Sequence, residues 1–270
     1  MPAPRNAFKR ALAEKRPQLG LWLALANPYT AEICAGAGYD WLLIDGEHAP
    51  NDLPLMTAQL QALKGSLSHP VIRAPVGETW ILKQILDIGA QTVLVPMIES
   101  GEQAKAMVRS VRYPPHGVRG VGAALARASE FNRIPDYLQT ANNEVCLLLQ
   151  IESRAGLDAI DEIATADGVD GVFIGPADLA ADMGHLGKPG DAEVQQAVEA
   201  ALIRIQSHGK AAGILTADQS LAKHYLALGA TFVAIGNDVS LLASSASRLL
   251  SNFRNARPDG GGSAATAGIY

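Results

Sequence analysis

Two carboxylate side chains follow short apolar segments of the sequence, each where the segment ends. Glu152 follows the segment 145–151, and Asp178 comes shortly after the segment 171–174. Apolar runs of this length between turn-forming residues are typical of buried strands. Carboxylates at neighbouring strand ends repel each other unless a cation lies between them, and such oxygen ligands suit Mg²⁺ or Mn²⁺. The pattern predicts a divalent metal site; the alternative is that Asp178 caps a helix and Glu152 is solvated.

A cation and a set of backbone amides accompany this acidic pair. Arg73 shares a strand face with Val71, so it points inward if Val71 does. In Gly175-Pro-Ala-Asp178, a glycine and a proline precede the free amides of Ala177 and Asp178, which is typical of a helix start that binds an anion. Metal, arginine and amides together suit an α-keto acid, whose enolate they would stabilise. The alternative role for Arg73 is that of a plain ion-pair partner.

His48 is the candidate proton carrier, because histidine titrates near neutral pH. It follows Asp45 by three residues in Ile-Asp-Gly-Glu-His, just after another apolar segment. A carboxylate at that spacing is close enough to orient the imidazole and to favour its protonated form. A loop histidine is otherwise an ordinary surface residue, so the assignment depends on Asp45 and on the position at a strand end.

Other catalytic classes fit the sequence less well. A Schiff-base aldolase needs a desolvated lysine at a strand end. The candidate lysines fall on predicted helices or at the wrong end of a strand: Lys83, Lys105, Lys210 and Lys223. Motifs of serine hydrolases, zinc proteases and phosphate-binding loops are absent from the sequence. A metal-dependent mechanism is therefore favoured.

A repeating pattern of strands and helices positions the candidate residues. Segments with strand character alternate with helical ones, at residues 20–25, 41–45, 71–74, 92–96, 145–151, 171–174, 211–215 and 232–235. Such alternation indicates a parallel sheet. Eight units in a chain near the usual length of about 250 residues predict a (β/α)₈ TIM barrel, with its active site at the carboxyl ends of the strands. An open doubly wound sheet is the alternative.

Length and composition limit the remaining possibilities. The 270 residues are expected to form one barrel domain over 1–256 and a flexible glycine-rich tail over 257–270. A net charge of -5 without a basic cluster argues against nucleic acid and anionic membranes as partners. Cys34 and Cys146 lie in apolar segments without metal-type spacing, which indicates reduced thiols in a cytoplasmic protein. Small molecules are the expected partners.

Several motifs that occur together resemble those of the class II pyruvate aldolases of the HpcH/HpaI family. They are Trp-Leu-Leu-Ile-Asp-Gly-Glu-His (41–48), Val-Pro-Met (95–97), Arg-Tyr-Pro-Pro-x-Gly-x-Arg-Gly (112–120), Leu-Gln-Ile-Glu (149–152) and Gly-Val-Phe-Ile-Gly-Pro-Ala-Asp-Leu (171–179). The resemblance covers the chain from Leu19 to at least Leu242. It implies a modified barrel, a divalent metal (Mg²⁺, Mn²⁺ or Co²⁺) and a homohexamer whose last helix packs on a neighbouring subunit.

The resemblance also implies a role for each candidate residue. Glu152 and Asp178 would hold the metal, and Arg73 would bind the keto oxygen and stabilise the pyruvate enolate. His48, oriented by Asp45, would move the proton of the 4-hydroxyl. The remaining positions would line the pocket or reach it from outside: Gln150 and Ala177, then Trp22 and Leu215 on the aldehyde side, and Asp87 of an adjacent subunit, which would support the histidine.

The activity implied by the resemblance is reversible cleavage of 4-hydroxy-2-oxoheptane-1,7-dioate to pyruvate and succinic semialdehyde, a step in the breakdown of aromatic compounds. The family also contains an aldolase that acts on 2-dehydro-3-deoxyglucarate, so the substrate stays open between these two. Two further functions stay open as well. One is a non-aldolase enolpyruvate enzyme on a related barrel, and the other is a metabolite-binding barrel without turnover.

Overall fold

Eight parallel strands close into a barrel in the computed structural model, which describes residues 1–255. The strands are β1 Gln18–Leu23, β2 Trp41–Asp45, β3 His69–Arg73, β4 Thr92–Val95, β5 Cys146–Ile151, β6 Gly171–Ile174, β7 Ala211–Leu215 and β8 Phe232–Asn237. Each strand pairs with its neighbour in sequence, and β8 pairs with β1. The predicted (β/α)₈ barrel is confirmed. The predicted tail at 257–270 lies outside the described residues, as does the domain end at residue 256.

Helices follow the strands and surround the barrel. They are α1 Ala7–Ala13, α2 Pro28–Ala35, α3 Leu53–Ala62, α4 Thr79–Asp87, α5 Gly101–Val111, α6 Tyr137–Glu144, α7 Arg154–Asp158, α8 Ile160–Thr165, α9 Pro176–Asp182, α10 Ala192–Ser207, α11 Gln219–Ala227 and α12 Asp238–Asn255. One helix predicted at 157–164 is in fact two, because Ala159 adopts ψ of 7° between α7 and α8. None of the described helices has the length and apolar character needed to span a bilayer.

Side chains alternate between the barrel interior and the layer beneath the helices. Leu43, Val71 and Leu148 belong to the interior cluster, whereas Leu42 and Ile72 pack under the helices. The interior face of β3 therefore continues from Val71 to its last residue, and the interior face of β5 continues from Leu148 toward the end of that strand. This alternation directs polar residues at the strand ends into the mouth of the barrel.

Helix α1 closes the opposite, amino-terminal end of the barrel. Phe8 belongs to the interior cluster, and its ring stacks on His69 at 5.4 Å and contacts Phe232 edge-on at 6.2 Å. Asn6 caps the helix and donates a side-chain hydrogen bond to Thr92 Oγ1 at 3.0 Å. Because this end is filled, the carboxyl ends of the strands are the open face of the barrel.

We expect His69 to make the stability of the fold depend on pH. Burial lowers the pKa of His69 to about 4, and its Nε2 lies 2.7 Å from Thr92 Oγ1. In the unfolded chain the pKa returns to about 6.5. Folding therefore favours the neutral ring, so this contribution to stability is complete above about pH 6.5 and is lost as the pH falls toward 4, at a cost of about 3 kcal/mol.

Urea unfolding of the wild type and of His69→Gln at pH 7 and pH 4.5 measures this loss. Glutamine retains a group that can hydrogen-bond to Thr92 but does not titrate. We expect the free energy of unfolding of His69→Gln to fall less on acidification than that of the wild type. An equal fall in both proteins would show that His69 is not responsible.

Candidate active site

The predicted strand-end residues meet in one cavity of about 360 Å³ at the open face of the barrel. Its lining includes Trp22, His48, Arg73, Gln150, Glu152, Ala177, Asp178 and Leu215. A larger cavity of about 560 Å³ lies around residues 63–70 and 127–133 at the closed end and contains none of these residues. Since the chemistry-bearing side chains converge at the open face, we take the smaller cavity as the candidate active site.

The guanidinium of Arg73 is held by two carboxylates at the mouth of the barrel. The β2–β3 register pairs Asp45 with Arg73. Arg73 Nε donates to Asp45 Oδ1 at 2.9 Å, and Nη2 donates to Oδ2 at 2.6 Å. Glu47 Oε2 forms an ion pair with Nη1 at 2.6 Å, but the two groups are not aligned for a hydrogen bond. Since a guanidinium has five N–H groups, groups on Nη1 and Nη2 stay available to a ligand, so Arg73 is both an ion-pair partner and a cavity residue.

Asp45 contacts Arg73 rather than the His48 imidazole that it was expected to orient. Its Oδ2 also accepts a hydrogen bond from Trp22 Nε1 at 3.2 Å, and its Oδ1 accepts from the amides of Glu47 and His48 at 2.9 and 3.3 Å. Burial raises the pKa of Asp45, but the hydrogen bonds and charge of Arg73, together with the amides of Glu47 and His48, outweigh burial, so the pKa lies below its usual value. The strand register causes the difference, because it places the arginine fork directly beside the carboxylate.

His48 lies exposed at the rim of the cavity, on the loop after β2. A hydrogen bond holds this loop to the end of β2, because Asn51 Nδ2 donates to the carbonyl oxygen of Asp45 at 2.7 Å. Gln59 of α3 in turn donates to Asn51 Oδ1 at 2.7 Å. The backbone around His48 is therefore fixed, while its imidazole can reach a ligand in the cavity.

Glu152 is buried at the end of β5, and both of its carboxylate oxygens are held. Oε1 accepts a hydrogen bond from the Met97 amide at 2.9 Å, and Oε2 accepts one from Gln150 Nε2 at 2.5 Å. Met97 adopts a left-handed φ of 55°, which is uncommon for a non-glycine residue and directs its N–H toward the carboxylate. Opposite Glu152, a Cβ on Gly175 would lie 2.5 Å from Oε2, so only glycine fits there.

The charges around the cavity fit a divalent cation. Burial raises the pKa of Glu152, and the charges of Glu47 and Asp178 add to that rise. Burial also raises the pKa of Glu47; the charges of Arg73 and His48 oppose that rise, and those of Asp45 and Asp178 add to it. Four carboxylates thus lie near a single guanidinium. No cluster of three His, Cys, Asp or Glu ligands occurs within residues 1–255, which is compatible with Mg²⁺, because this ion is commonly bound by one or two carboxylates plus water and substrate oxygens.

Gln150 and Trp22 complete the inner wall of the cavity. Gln150 Oε1 is buried without a hydrogen-bond partner in the described part of the chain, so it is free to accept a hydrogen bond from a donor in the cavity. The indole of Trp22 lies 5.2 Å from the Arg73 guanidinium carbon and supports it by a cation–π contact. Trp22 therefore contacts Arg73 in addition to lining the cavity.

Asp87 does not line the cavity of its own chain. It is the last residue of α4, and its carboxylate accepts a hydrogen bond from Nη2 of the fully buried Arg119 at 2.7 Å. The guanidinium of Arg119 also lies over the ring of Tyr113 at 4.4 Å. Any role of Asp87 at an active site therefore requires a second subunit.

Sequence reasoning missed the roles of two residues that shape the site. Glu47 belongs to the Asp-Gly-Glu-His motif, and its ion pair with Arg73 could be expected only from the strand register. The left-handed peptide at Met97 has no signal in the sequence, because a methionine after a proline does not predict a positive φ. The acidic pair and the arginine, by contrast, are brought together as predicted.

An acidic pair and a fixed guanidinium lie together at the carboxyl ends of a (β/α)₈ barrel, which is where enzymes of this fold have their active sites. Comparison with known proteins identifies the family. The chain belongs to the HpcH/HpaI aldolase/citrate lyase family, whose model matches residues 18–245. It is therefore a carbon–carbon lyase, as predicted.

Relatives and a solved structure are similar over most of the chain. A hydroxypyruvate/pyruvate aldolase of Deinococcus radiodurans is 64% identical over 93% of this chain and 90% of its own length. A 4-hydroxy-2-oxo-heptane-1,7-dioate aldolase of Klebsiella pneumoniae is 57% identical, with coverage of 92% and 94%. The crystal structure of a family member from Burkholderia cenocepacia J2315 superposes with a TM-score of 0.89 at 41% identity, covering 92% of this chain and 99% of that one.

Proposed function

We propose that this protein is a metal-dependent (class II) pyruvate aldolase, which reversibly cleaves 4-hydroxy-2-oxo acids to pyruvate and an aldehyde. The observation that carries the proposal is that Glu152, Asp178 and the fixed guanidinium of Arg73 line one cavity. We assign Glu152 and Asp178 as the residues that hold the metal. When bound, Mg²⁺, Mn²⁺ or Co²⁺ would polarise the keto group as a Lewis acid.

The protein's own groups would bind and orient the keto acid. The available N–H groups of Arg73 would donate to the keto oxygen, where negative charge develops as the enolate forms. The free amides of Ala177 and Asp178 would donate hydrogen bonds to the carboxylate of the three-carbon unit, and Gln150 would line the pocket beside it. Asp45 and Trp22 would act through Arg73 by holding its guanidinium. His48 would take the proton from the 4-hydroxyl during cleavage and return it during addition.

Replacing His48 with alanine should lower the rate of C–C cleavage about 10²- to 10⁴-fold, the usual contribution of a positioned proton carrier. Pyruvate and metal binding should persist, because His48 lies at the rim of the cavity. Coupling pyruvate release to lactate dehydrogenase measures the rate, and calorimetry measures both affinities. His224→Ala is the matched control, since the one charged side chain of residues 1–255 that this surface histidine contacts is Glu199, at 2.9 Å. A loss of metal affinity as large as that of a Glu152 variant would make His48 a ligand instead.

For the substrate, we propose 4-hydroxy-2-oxoheptane-1,7-dioate, with succinic semialdehyde as the second product. The name of the Klebsiella pneumoniae relative supports this choice. The alternative is 2-dehydro-3-deoxyglucarate, and the name of the Deinococcus radiodurans relative adds hydroxypyruvate as a possible donor in place of pyruvate. Assaying both keto acids for pyruvate release, and both donors for addition, ranks them in one experiment. Release of pyruvate from neither keto acid would overturn the proposed substrates.

We further propose that helix α12 packs on a neighbouring subunit within a homohexamer. The helix extends from the barrel, and its large apolar side chains are exposed: Val239, Leu241, Leu242, Leu249, Leu250 and Phe253. Such a face favours burial against another protein surface. Asp87 would contribute to a neighbouring site only in such an assembly.

Light scattering should give six times the mass of one chain for the wild type. The double variant Leu249→Glu and Phe253→Glu should dissociate, because it places charge on the apolar face of α12. Ser244→Glu, on the opposite face of the same helix, should leave the assembly intact. A monomeric wild type, or equal behaviour of both variants, would contradict the proposed packing.

We propose that the enzyme is cytoplasmic. Both of its cysteines are free thiols, Cys34 partly exposed and Cys146 buried. Burial raises the pKa of Cys146 well above its ordinary value, so this thiol is unreactive. Reduced cysteines of this kind are typical of a cytoplasmic protein.

A further inference from the structure

The cavity extends beyond the residues assigned to pyruvate. Past Leu215, its lining continues with residues of α10, α11 and the loop before α10: Pro189, Gly190, Gln195, Leu221 and Tyr225. We call this extension the lateral cleft. It is continuous with the space beside Arg73 and Asp178, so a molecule that binds its keto acid end there can place its other end in the lateral cleft.

A chain of two hydrogen bonds closes the far side of the lateral cleft. Gln195 Nε2 donates to the carbonyl oxygen of Pro189 at 2.8 Å, and Tyr225 Oη donates to Gln195 Oε1 at 2.6 Å. The carbonyl of Pro189 can only accept, so the amide nitrogen of Gln195 must face it and the amide oxygen must face Tyr225. The amide of Gln195 is thereby fixed between a loop and a helix, with one N–H left unassigned.

We propose that the lateral cleft binds the tail of the aldehyde, and that Gln195 selects tails that carry an oxygen acceptor, which is a hydroxyl in a hydroxyaldehyde and the carboxylate in succinic semialdehyde. This inference rests on the proposed aldolase function. The groups that face the cleft are a carboxamide, a phenol, the Thr216 hydroxyl and the apolar side chains of Pro189 and Leu221. A hydroxyl in the tail can accept a hydrogen bond from the remaining N–H of Gln195. An unsubstituted alkyl tail leaves that partly buried donor without a partner, which is unfavourable.

The burial of Tyr225 keeps this arrangement uncharged. The side chain is buried, and burial raises the pKa of its hydroxyl above the ordinary value, with the charges of Glu199 and Asp218 adding to the rise and the bond to Gln195 opposing it. The phenol is therefore neutral and donates a hydrogen bond to Gln195 Oε1 across the working range of pH. The selecting amide keeps one orientation in that range.

Aldol addition of pyruvate to aldehydes of matched length tests the proposal. Glycolaldehyde and glyceraldehyde carry hydroxyl groups, and acetaldehyde and propanal are their unsubstituted counterparts. We expect the wild type to prefer the hydroxylated member of each pair in kcat/KM. Gln195→Leu should reduce that preference about fivefold, the value of one hydrogen bond, and Tyr225→Phe should reduce it less. The KM for pyruvate should not change in either variant.

Gln196→Leu is the matched control, because Gln196 is the next residue on α10, is exposed and does not line the cleft. It should retain the preference of the wild type. Exchange of the pyruvate methyl protons with solvent, followed by NMR without any aldehyde, reports enolate formation separately. Wild-type exchange together with an equal preference in Gln195→Leu and Gln196→Leu would overturn the role of the lateral cleft alone. A wild type that catalyses neither exchange nor addition would overturn the proposed function, and this inference with it.

Discussion

Replacing Arg73 with alanine should lower kcat/KM for aldol cleavage about 10²- to 10³-fold, the usual cost of removing one donor to a developing oxyanion. The reason is geometric as well as electrostatic. The guanidinium is fixed by Asp45 at 2.6 and 2.9 Å and by Glu47 at 2.6 Å. Its available N–H groups are therefore oriented before the substrate binds. The coupled assay of pyruvate release measures the loss.

Arg73 also has a structural role that this experiment must separate from catalysis. Its removal leaves the carboxylate of Asp45 buried and unpaired, which costs about 3–5 kcal/mol of stability in comparable buried pairs. Arg73→Lys retains the positive charge but not the planar fork, so it should fold better than Arg73→Ala and still lose most of the rate. Thermal unfolding of both variants accounts for the structural part. Wild-type rates in Arg73→Lys would mean that the fork is not needed.

The second large effect is expected at the acidic pair. Glu152→Gln and Asp178→Asn should each weaken Mn²⁺ binding by more than the 10- to 100-fold that loss of an outer-shell partner costs. Both changes preserve the size of the side chain, and Glu152→Gln can still accept the hydrogen bond from the Met97 amide. Calorimetric titration with Mn²⁺ measures the affinity without reference to turnover.

The control for this titration lies on the same helix as Asp178. Asp182 ends α9 and accepts a hydrogen bond from the amide of Arg154 at 2.8 Å, away from the cavity lining. Asp182→Asn should therefore bind Mn²⁺ like the wild type. If Asp178→Asn and Asp182→Asn gave the same affinity, Asp178 would not be a ligand.

The barrel could be predicted from the sequence because its strands are apolar runs bounded by turn-forming residues. The bounds of β2, β6 and β7 agree with the predicted ones. The convergence of Arg73 and Glu152 followed from the same pattern, since the ends of parallel strands meet at one face. Local patterns therefore suffice for features that depend on where strands end.

Features that depend on register or on backbone geometry could not be predicted in this way. The pairing of Asp45 with Arg73 follows from the alignment of β2 and β3. The amide of Met97 reaches Glu152 only through a left-handed φ. The contact between Gln195 and Tyr225 joins two residues of different helices that lie 30 positions apart in sequence. None of these contacts leaves a periodic signal in the chain.

Glu152 and Asp178 would hold a divalent metal beside Arg73, and the metal and the guanidinium together would stabilise the pyruvate enolate. Pyruvate release from the keto acid substrate, measured before and after thorough chelation and again after addition of Mg²⁺, Mn²⁺ or Co²⁺, tests this proposal most directly. We expect activity to disappear with the metal and to return with at least one of the three ions. Full activity in the chelated enzyme would contradict the metal mechanism.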